Sequence, residues 1–287
     1  MNWLILIIVI ILASVGLVFD SIKSWILYHP THDYLLSADE MAAQIGGRPY
    51  QVQEITIPNG TEQLEAWFFK YGQSTQPEDK KGNQTTKTVV ICHGNGGNLS
   101  YRQHLVELLA HCKVNICLFD YQGYGHSTGD PSESKMYRDG QAIVEYLCKN
   151  LSIPLDSIVF LGESIGSGTA AFLAQKYQSP QLILLSGFTS IREMFEQIVD
   201  RNVPSWCSFL TFFGCFFREF PTNEYLCQFH GETLILHSPD DHLVPYQMAV
   251  KNAQNPRCSL VNIGGGHNDP VFSEESCHQL SAFLGRH

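Results

Sequence analysis

The sequence predicts a doubly wound α/β fold, with a mostly parallel central sheet and helices on both of its faces. Six short apolar segments rich in Ile, Val and Leu alternate with longer segments of helical periodicity. Continuously apolar strands are buried on both faces, which is typical of parallel strands that are connected through helices. The 287-residue chain also fits one large domain better than two small ones.

The predicted parallel strands are TVVICH, NICLFD, SIVFLG, QLILLS, TLILHS and CSLVNI. Helical periodicity predicts helices at residues 99–112, 132–150, 165–177, 244–254 and 273–284. Ahead of this alternation, the strand-like segments QVQEITI and EQLEAWFFKY flank the turn sequence PNG, which predicts a β-hairpin. The polar residues that follow, 72–87, predict an exposed loop.

Residues 3–19 form an uncharged apolar run, close to the ~20 residues that cross a bilayer as a helix. A helix that is apolar all round lies in a membrane or deep inside a core. A cleaved signal peptide, the main alternative, carries Lys or Arg before its apolar stretch and small residues after it. Here only Met1 and Asn2 come before the run, and DSIKSW comes after it. We therefore predict a single-pass membrane anchor at residues 1–24 and a globular domain at residues 25–287.

Charge and cysteine usage indicate the partners and the compartment of the domain. The formal net charge is -10 and Lys and Arg are not clustered, which argues against nucleic acid as a partner. The nine cysteines form no CxxC pair and no zinc-like spacing, and Cys92 and Cys117 lie in apolar runs, as free thiols do. Asn98 lies in a glycosylation sequon, inside a loop where a glycan would disrupt the site predicted below. These features favour a cytosolic domain, whereas Lys23 alone does little to fix the membrane orientation.

The alternation of strands and helices breaks between residues 188 and 228. The aromatic-rich stretch PSWCSFLTFFGCFFREFP in this segment contains no clean strand. Because it is inserted between two strand-helix units, we predict a lid above the carboxyl ends of the strands. A core helix is the alternative interpretation. In a membrane-tethered protein, such a surface would also suit contact with lipid.

Residues 160–168 read FLGESIGSG, in which a glycine lies two residues to either side of Ser164. SIVFLG before the serine predicts a strand, and IGSGTAAFLAQKY after it predicts a helix. A serine at such a bend is a nucleophile elbow, in which Gly162 and Gly166 permit a strained backbone and close packing. Its hydroxyl would lie at a helix N-terminus, where backbone N–H groups stabilise an oxyanion. A flexible turn is the alternative, which the flanking strand and helix disfavour.

A serine hydroxyl becomes a good nucleophile when a base takes its proton, and that base needs an anion to fix its tautomer. Both partners are expected later in the chain, in the order Ser, Asp, His. PDDHLVP follows the strand TLILHS, and GGGHNDP follows the last strand, so both loops leave the carboxyl edge of the sheet. We predict His267 as the general base and Asp241 as the acid that orients it. Asp240 is the alternative acid.

An oxyanion hole requires two backbone N–H donors that are directed at one point. Ile165, the residue after the nucleophile, is predicted to supply one of them. HGNGGN, residues 93–98, follows the strand TVVIC, where this fold places the second donor. We predict Asn95 as that donor, with Gly96 as the alternative. A phosphate-binding loop is disfavoured because the Gly-Lys-Ser/Thr ending and a GxGxxG after the first strand are both missing.

Five motifs in order, HGNGGN, FDYQGYGHSTGDPSE, GESIGSG, DDHLVP and GGGHND, resemble those of the α/β-hydrolase superfamily. Within it, residues 52–287 are most similar to the membrane-anchored serine hydrolases of the α/β-hydrolase domain-containing group. The resemblance implies Ser164, Asp241 and His267 as a catalytic triad, and DYQGYGHSTG as the floor of the pocket. It also implies an esterase, thioesterase or lipase that needs no cofactor; some relatives remove palmitate from proteins. The lid sequence FLTFFGCFF departs from the family pattern, which leaves the substrate open.

These observations together predict a hydrolase of acyl esters or thioesters that works through an acyl-enzyme intermediate. A membrane anchor and an aromatic lid favour apolar acyl chains, since each buried methylene contributes about 0.8 kcal/mol. The alternatives are a non-catalytic scaffold that holds a partner at the membrane and a peptidase with the same triad. The intact triad disfavours the scaffold, and the lack of an additional peptide-binding domain disfavours the peptidase.

Overall fold

The computed structural model describes residues 21–45, 49–72, 86–202, 204, 211, 214 and 217–286. The apolar run at residues 3–19, most of the predicted exposed loop and much of the aromatic stretch of the predicted lid lie outside these ranges. Within them, no helix has both the length and the apolar character needed to cross a bilayer.

An eight-stranded sheet forms the centre of the domain. Its strands are β1 (Tyr50–Asn59), β2 (Glu62–Tyr71), β3 (Thr88–Cys92), β4 (Asn115–Phe119), β5 (Ile158–Glu163), β6 (Gln181–Leu185), β7 (Glu232–His237) and β8 (Cys258–Asn262). Their order across the sheet is β8-β7-β6-β5-β3-β4-β2-β1. β2 is antiparallel to both β1 and β4, and the other neighbours are parallel. The predicted hairpin, the six predicted parallel strands and the mostly parallel sheet are thus confirmed.

Helices connect the strands and cover both faces of the sheet. They are α1 (Ala38–Gln44), α2 (Gln103–Ala110), α3 (Glu133–Asn150), α4 (Gly166–Tyr177), α5 (Ile191–Asn202), α6 (Thr222–Gln228), α7 (Tyr246–Asn252) and α8 (Glu274–Leu284). The helices predicted at 132–150, 165–177 and 273–284 each begin one residue later than predicted. Ser132 and Ser273 explain two of these starts, because their side chains cap α3 and α8 from the preceding position.

Two predicted helices are too long, for local reasons. The helix predicted at 99–112 is a 3₁₀ helix, Leu99–Tyr101, followed by α2, with Arg102 between them at φ -101° and ψ 24°. The Asn98 side chain caps the 3₁₀ helix by accepting from the Ser100 N–H. The helix predicted at 244–254 begins only at α7, because Pro245 before it is extended at ψ 131°.

The described parts of residues 188–228 contain two helices, α5 and α6, for which the sequence had no clear signal. The apolar side chains at both ends of the segment are buried in the core, namely Phe188, Phe217, Phe220 and Leu226. The residues between these ends, which remain for the predicted lid, include α5, and part of them lies outside the described residues.

Buried side chains form one apolar cluster on each face of the sheet. β5 contributes to both clusters: Phe160 packs on one face, and Val159 and Leu161 pack on the other. This alternation follows from the two-residue period of a strand and requires an apolar residue at every position. The described cysteines are all free thiols, and Cys92 and Cys117 are buried as expected.

Candidate active site

Ser164 lies on the tight bend between β5 and α4. Its backbone has φ +52°, a left-handed conformation that residues other than glycine seldom adopt. The Ser164 N–H donates to the Leu185 carbonyl oxygen at 3.0 Å, which fixes the bend to the end of the neighbouring strand. The strained position is the serine itself, as in a nucleophile elbow.

The glycines on either side of Ser164 serve the close packing that the sequence predicted, while the strained backbone position is Ser164 itself. Neither Gly162 nor Gly166 is among the residues with positive φ. A Cβ on Gly166 would lie 2.0 Å from the Cys92 carbonyl oxygen, and a Cβ on Gly162 would lie 2.5 Å from the Ser167 Cα. The absence of side chains therefore lets α4 begin directly against the end of β3.

His267 and Asp241 reach Ser164 from the loops after the last two strands of the sheet. His267 Nε2 lies 2.9 Å from Ser164 Oγ, and His267 Nδ1 lies 2.8 Å from Asp241 Oδ2. Both distances are hydrogen-bond distances, so the three side chains form a continuous chain. The His267 side chain is 9% exposed and that of Asp241 is fully buried. The structure thus brings together the three residues that the sequence singled out.

Asp241 is held rigidly by its own loop. Its Oδ1 accepts hydrogen bonds from the backbone N–H groups of Leu243 at 2.9 Å and Val244 at 2.8 Å. Burial alone raises the pKa of Asp241, but the hydrogen bond and charge of His267 outweigh it and lower the pKa. A carboxylate that stays ionised can orient the imidazole and stabilise its protonated form. Asp240, the alternative acid, is exposed and does not reach His267.

A second histidine, His237, packs against Asp241 and was not anticipated. Its Nε2 donates to the Val244 carbonyl oxygen at 3.0 Å and lies 3.4 Å from Asp241 Oδ2. Burial lowers the pKa of His237, which favours a neutral ring beside the carboxylate. It ends the strand TLILHS, and nothing in the apolar pattern of that strand distinguishes it from a core residue.

The loop at residues 93–98 runs alongside Ser164, and we call it the oxyanion loop. A Cβ on Gly94 would lie 3.6 Å from the Ser164 Cβ, and Asn95 lines the same cavity as Ser164. Among the described residues, no hydrogen bond engages the backbone N–H of Asn95 or of Ile165. Neither N–H is therefore committed to another acceptor among these residues; Asn95 lines the cavity, whereas Ile165 does not.

Other parts of the chain hold the oxyanion loop by its carbonyl oxygens. The Asn95 carbonyl oxygen accepts from the His29 N–H and from the Tyr124 hydroxyl, each at 2.9 Å. The Tyr121 hydroxyl donates to the His93 carbonyl oxygen at 3.2 Å. The motif DYQGYGHSTG therefore supports the loop from behind, and its residues are not among those that line the cavity in the described structure. This corrects the expectation that the motif shapes the pocket floor.

The side chain of Asn98 ties the end of the oxyanion loop to the segment that leads into the domain. Its amide donates to the Thr31 carbonyl oxygen at 3.1 Å and to the Asp33 carbonyl oxygen at 2.9 Å. The residue is fully buried. A glycan on this amide is incompatible with the folded domain, although the residue lies in a sequon.

A buried ion pair lies directly behind the oxyanion loop. Glu163, the residue before Ser164, has a carboxylate oxygen 3.2 Å from Arg102 Nε and another 3.3 Å from His104 Nε2. The Glu163 carboxylate also accepts from the Gly94 N–H at 3.0 Å. Burial raises its pKa, but Arg102, His104 and that N–H outweigh the effect and hold the pKa well below its usual range. No spacing pattern in the sequence indicates this cluster.

A cavity of about 390 Å³ opens beside Ser164 and His267. The residues that line it include Thr31, Tyr101, Arg102, His104, Glu163 and Asn268. The cavity gives a substrate access to the Ser164 hydroxyl and to the free N–H of Asn95.

Known proteins resemble this chain in sequence and in fold. Residues 87–206 match the protein family described as alpha/beta hydrolase fold. An uncharacterised protein of Mycobacterium tuberculosis is 30% identical over 210 residues, which are 72% of this chain and 69% of that protein. The alpha/beta hydrolase domain-containing protein aho-3 of Caenorhabditis elegans is 29% identical over 261 residues, which are 89% of this chain and 75% of that protein.

Among solved structures, an esterase of Pyrococcus furiosus superposes with a TM-score of 0.65. The superposition covers 90% of this chain and 96% of the esterase chain, at 18% sequence identity. Likeness at this identity shows the fold alone.

Proposed function

We propose that this chain, which belongs to the α/β-hydrolase superfamily, is a serine hydrolase that cleaves carboxylic esters or thioesters. The observation that carries the proposal is the continuous chain of hydrogen bonds from Asp241 through His267 to the Ser164 hydroxyl. The Pyrococcus furiosus protein with the same fold is an esterase, which supports cleavage of the same class of bond.

In the proposed reaction, Ser164 Oγ attacks the acyl carbonyl carbon while His267 Nε2 takes the hydroxyl proton. The carbonyl oxygen becomes an oxyanion, which the N–H groups of Asn95 and Ile165 stabilise. His267 then gives the proton to the departing alcohol or thiol, and the acyl group stays on Ser164. Water, deprotonated by His267, attacks the acyl-enzyme and releases the acid. Asp241 accepts a hydrogen bond from the His267 Nδ1–H. This keeps the proton on Nδ1 and leaves Nε2 free to accept the proton of Ser164.

We further propose that the substrates carry apolar acyl chains. Supporting features are the apolar run at residues 3–19, as a single-pass anchor, and the aromatic lid within residues 188–228. In this proposal residues 25–287 form the hydrolase domain on the cytosolic side. The proposed reaction needs no cofactor, because each step uses only groups of the chain, the substrate and water.

Labelling with a fluorophosphonate probe tests the proposal, because the probe forms a covalent bond with an activated serine. We expect the wild-type protein to be labelled and Ser164→Ala to be unlabelled. Ser186→Ala is a matched control: this serine also ends a strand, has φ +50° and is buried, and its hydroxyl has no hydrogen-bond partner among the described residues. Wild-type protein that remains unlabelled, or labelling that survives Ser164→Ala, would overturn the enzyme proposal in favour of a scaffold.

A panel of substrates separates the proposal from a peptidase. Esters and thioesters of increasing acyl length are compared with a peptide amide at equal concentration. Turnover of the esters with rates that rise with chain length supports the proposal. Faster cleavage of the amide than of any ester contradicts it.

A further inference from the structure

An apolar helical face lies exposed at the start of the described chain. Residues 21–27 are helical, and Ile22, Trp25 and Ile26 are 49%, 75% and 47% exposed. These positions are spaced i, i+3 and i+4, so they share one face of the helix. Large apolar side chains together on a helix surface usually mark an interaction site. We call this surface the outer face.

The opposite side of the same helix is fixed to the domain. Lys23 forms an ion pair with Glu219, at the end of the predicted lid segment. Leu27 packs against the core, and Tyr28 directly after the helix is buried. The orientation of the helix is thereby set, and the outer face points away from the domain.

The helix leads directly into the candidate active site. Three residues after Ile26, the His29 N–H donates to the Asn95 carbonyl oxygen at 2.9 Å, and the Thr31 N–H donates to the Gly97 carbonyl oxygen at 3.1 Å. Three residues of chain span at most about 11 Å, so the outer face lies close to the oxyanion loop. Thr31 lines the cavity beside Ser164.

Two further exposed apolar side chains lie near the cavity. Leu35 is 61% exposed, and its N–H donates to the Ser100 hydroxyl at 2.8 Å. Tyr101, which follows Ser100, is 38% exposed and lines the cavity. Exposed apolar side chains are therefore found both on the outer face and beside the cavity.

The sequence before the helix identifies what covers this surface. The uncharged apolar run at residues 3–19 ends three residues before residue 22 and has the length of a bilayer-crossing helix. Trp is enriched where a membrane meets water, because its ring is apolar and its N–H is polar. A chain that enters a bilayer at residue 19 would place Trp25 in the headgroup region.

We propose that the outer face docks into the headgroup region of a lipid bilayer, so that the cavity beside Ser164 opens at the membrane surface. The helix is held by Lys23 and Leu27, and the segment after it is hydrogen-bonded to the oxyanion loop, so the helix sets the orientation of the domain on the membrane. It follows that the substrate is an ester or thioester embedded in the bilayer, a conclusion that rests on the proposed hydrolase function.

Activity measurements on the full chain in phosphatidylcholine vesicles test the docking. The variant Ile22→Ser/Trp25→Ser/Ile26→Ser is compared with wild type on a long-chain ester in the vesicles and on a short water-soluble ester. We expect the rate on the embedded ester to fall about tenfold or more, because apolar area drives interfacial binding. The rate on the soluble ester should stay unchanged, which also shows that the variant is folded.

Leu155→Ser is the matched control, since Leu155 is 42% exposed but precedes β5, at the edge of the sheet opposite Ser164. It should change neither rate. A triple variant that hydrolyses the embedded ester at the wild-type rate overturns the docking and leaves the hydrolase proposal standing. The docking is also overturned if the only effect of the triple substitution is to dissociate a dimer in detergent, because the outer face would then bind a second copy of the chain.

Fluorescence quenching tests the docking without reference to activity. Brominated phosphatidylcholine quenches tryptophans that contact lipid, so Trp25→Phe should remove part of the quenched emission of the full chain. Trp67→Phe, at a tryptophan that is 1% exposed in the core, should not. Equal quenching in wild type and Trp25→Phe overturns the docking. If wild type hydrolyses neither ester but Trp25 is quenched, the proposed function fails and the docking stands.

Discussion

Arg102 and Glu163 form a largely buried ion pair that holds the oxyanion loop on either side of Asn95. Their side chains are 12% and 14% exposed, with Arg102 Nε 3.2 Å from a carboxylate oxygen. The carboxylate accepts from the Gly94 N–H, and the guanidinium donates to the Gly96 carbonyl oxygen. Asn95, whose N–H is the proposed oxyanion donor, lies between these two anchored positions. The pair therefore positions the donor, and both of its side chains also line the cavity beside Ser164.

Replacing Glu163 with Gln should lower kcat and leave KM nearly unchanged. The substitution keeps the size of the side chain but leaves Arg102 without its carboxylate, so the oxyanion loop loses an anchor. Loss of one oxyanion donor costs about 10²- to 10³-fold in kcat, and a misplaced donor should cost about tenfold or more. Steady-state kinetics on a soluble ester measure both parameters. A rise in KM at constant kcat would mean that Glu163 affects substrate binding instead.

The same variant should change how stability depends on pH. An unpaired buried charge costs about 3–5 kcal/mol, so we expect Glu163→Gln to be less stable at neutral pH. The pKa of Glu163 is lowered in the folded state. The stability it contributes is therefore present above its unfolded pKa of about 4.3 and is lost as pH falls below that value. Urea unfolding in acid should show a smaller loss of stability for the variant than for wild type.

Glu145→Gln is the control for this pH effect. Glu145 forms an exposed pair with Lys149 on α3, and their side chains are 60% and 73% exposed. Pairs of this kind contribute little because solvent screens them. A pH dependence in Glu163→Gln that equals that of wild type would show that the buried pair does not contribute to acid unfolding.

Asp241→Asn should lower kcat by about 10³- to 10⁴-fold, because it forces the wrong tautomer on His267. The Leu243 and Val244 N–H groups require an acceptor at Oδ1, so the amide oxygen of the new side chain should face them. The amide NH₂ then faces His267 Nδ1, which must accept a hydrogen bond and leave the proton on Nε2. A ring protonated at Nε2 cannot take the Ser164 proton. Asp240→Asn, at the exposed neighbour, should retain wild-type kinetics.

The elements that the sequence predicted correctly are those with a strong local signal. The strands of the parallel sheet are apolar at nearly every position because both faces are covered, so their existence could be predicted. Ser164, Asp241 and His267 could be predicted because each follows such a strand at the carboxyl edge. The helical periodicity placed the starts of α3 and α4 to within one residue.

The features that sequence reasoning missed depend on contacts between distant parts of the chain. Glu163 ends β5 and Arg102 lies just before α2, and neither has a neighbour in sequence that suggests an ion pair. The two residues His29 and Pro30 pair with Gly96 and Gly97, a contact too short to have any periodicity. The helices α5 and α6 were hidden because their apolar residues merge with an aromatic-rich stretch.

Tyr124→Phe should reduce kcat by a few-fold and stability by about 1 kcal/mol, the usual contribution of one hydrogen bond. The hydroxyl of this residue donates to the Asn95 carbonyl oxygen, which keeps a second bond from the His29 N–H. The loop should therefore loosen without becoming disordered. Kinetics and urea unfolding measure the two effects. Tyr121→Phe is the control. It loses a longer hydrogen bond to the His93 carbonyl oxygen and should lower kcat less. A larger fall in kcat in Tyr121→Phe than in Tyr124→Phe would contradict the assigned role of Tyr124.

Gly166→Ala should destabilise the domain by about 3 kcal/mol or more, the upper end of what overpacking costs. The added Cβ would lie 2.0 Å from the Cys92 carbonyl oxygen and 2.6 Å from that of His93. Both atoms are backbone at the start of the oxyanion loop, so relief of the clash must move either this loop or α4. Urea unfolding measures the loss of stability. Fluorophosphonate labelling measures the effect of the movement on Ser164, and we expect labelling to be lost. Gly96→Ala is the control for stability, because its Cβ would meet nothing within 4 Å and its φ is not positive. If Gly166→Ala unfolds at the wild-type urea concentration and is still labelled, the close contact between α4 and β3 does not fix the position of Ser164.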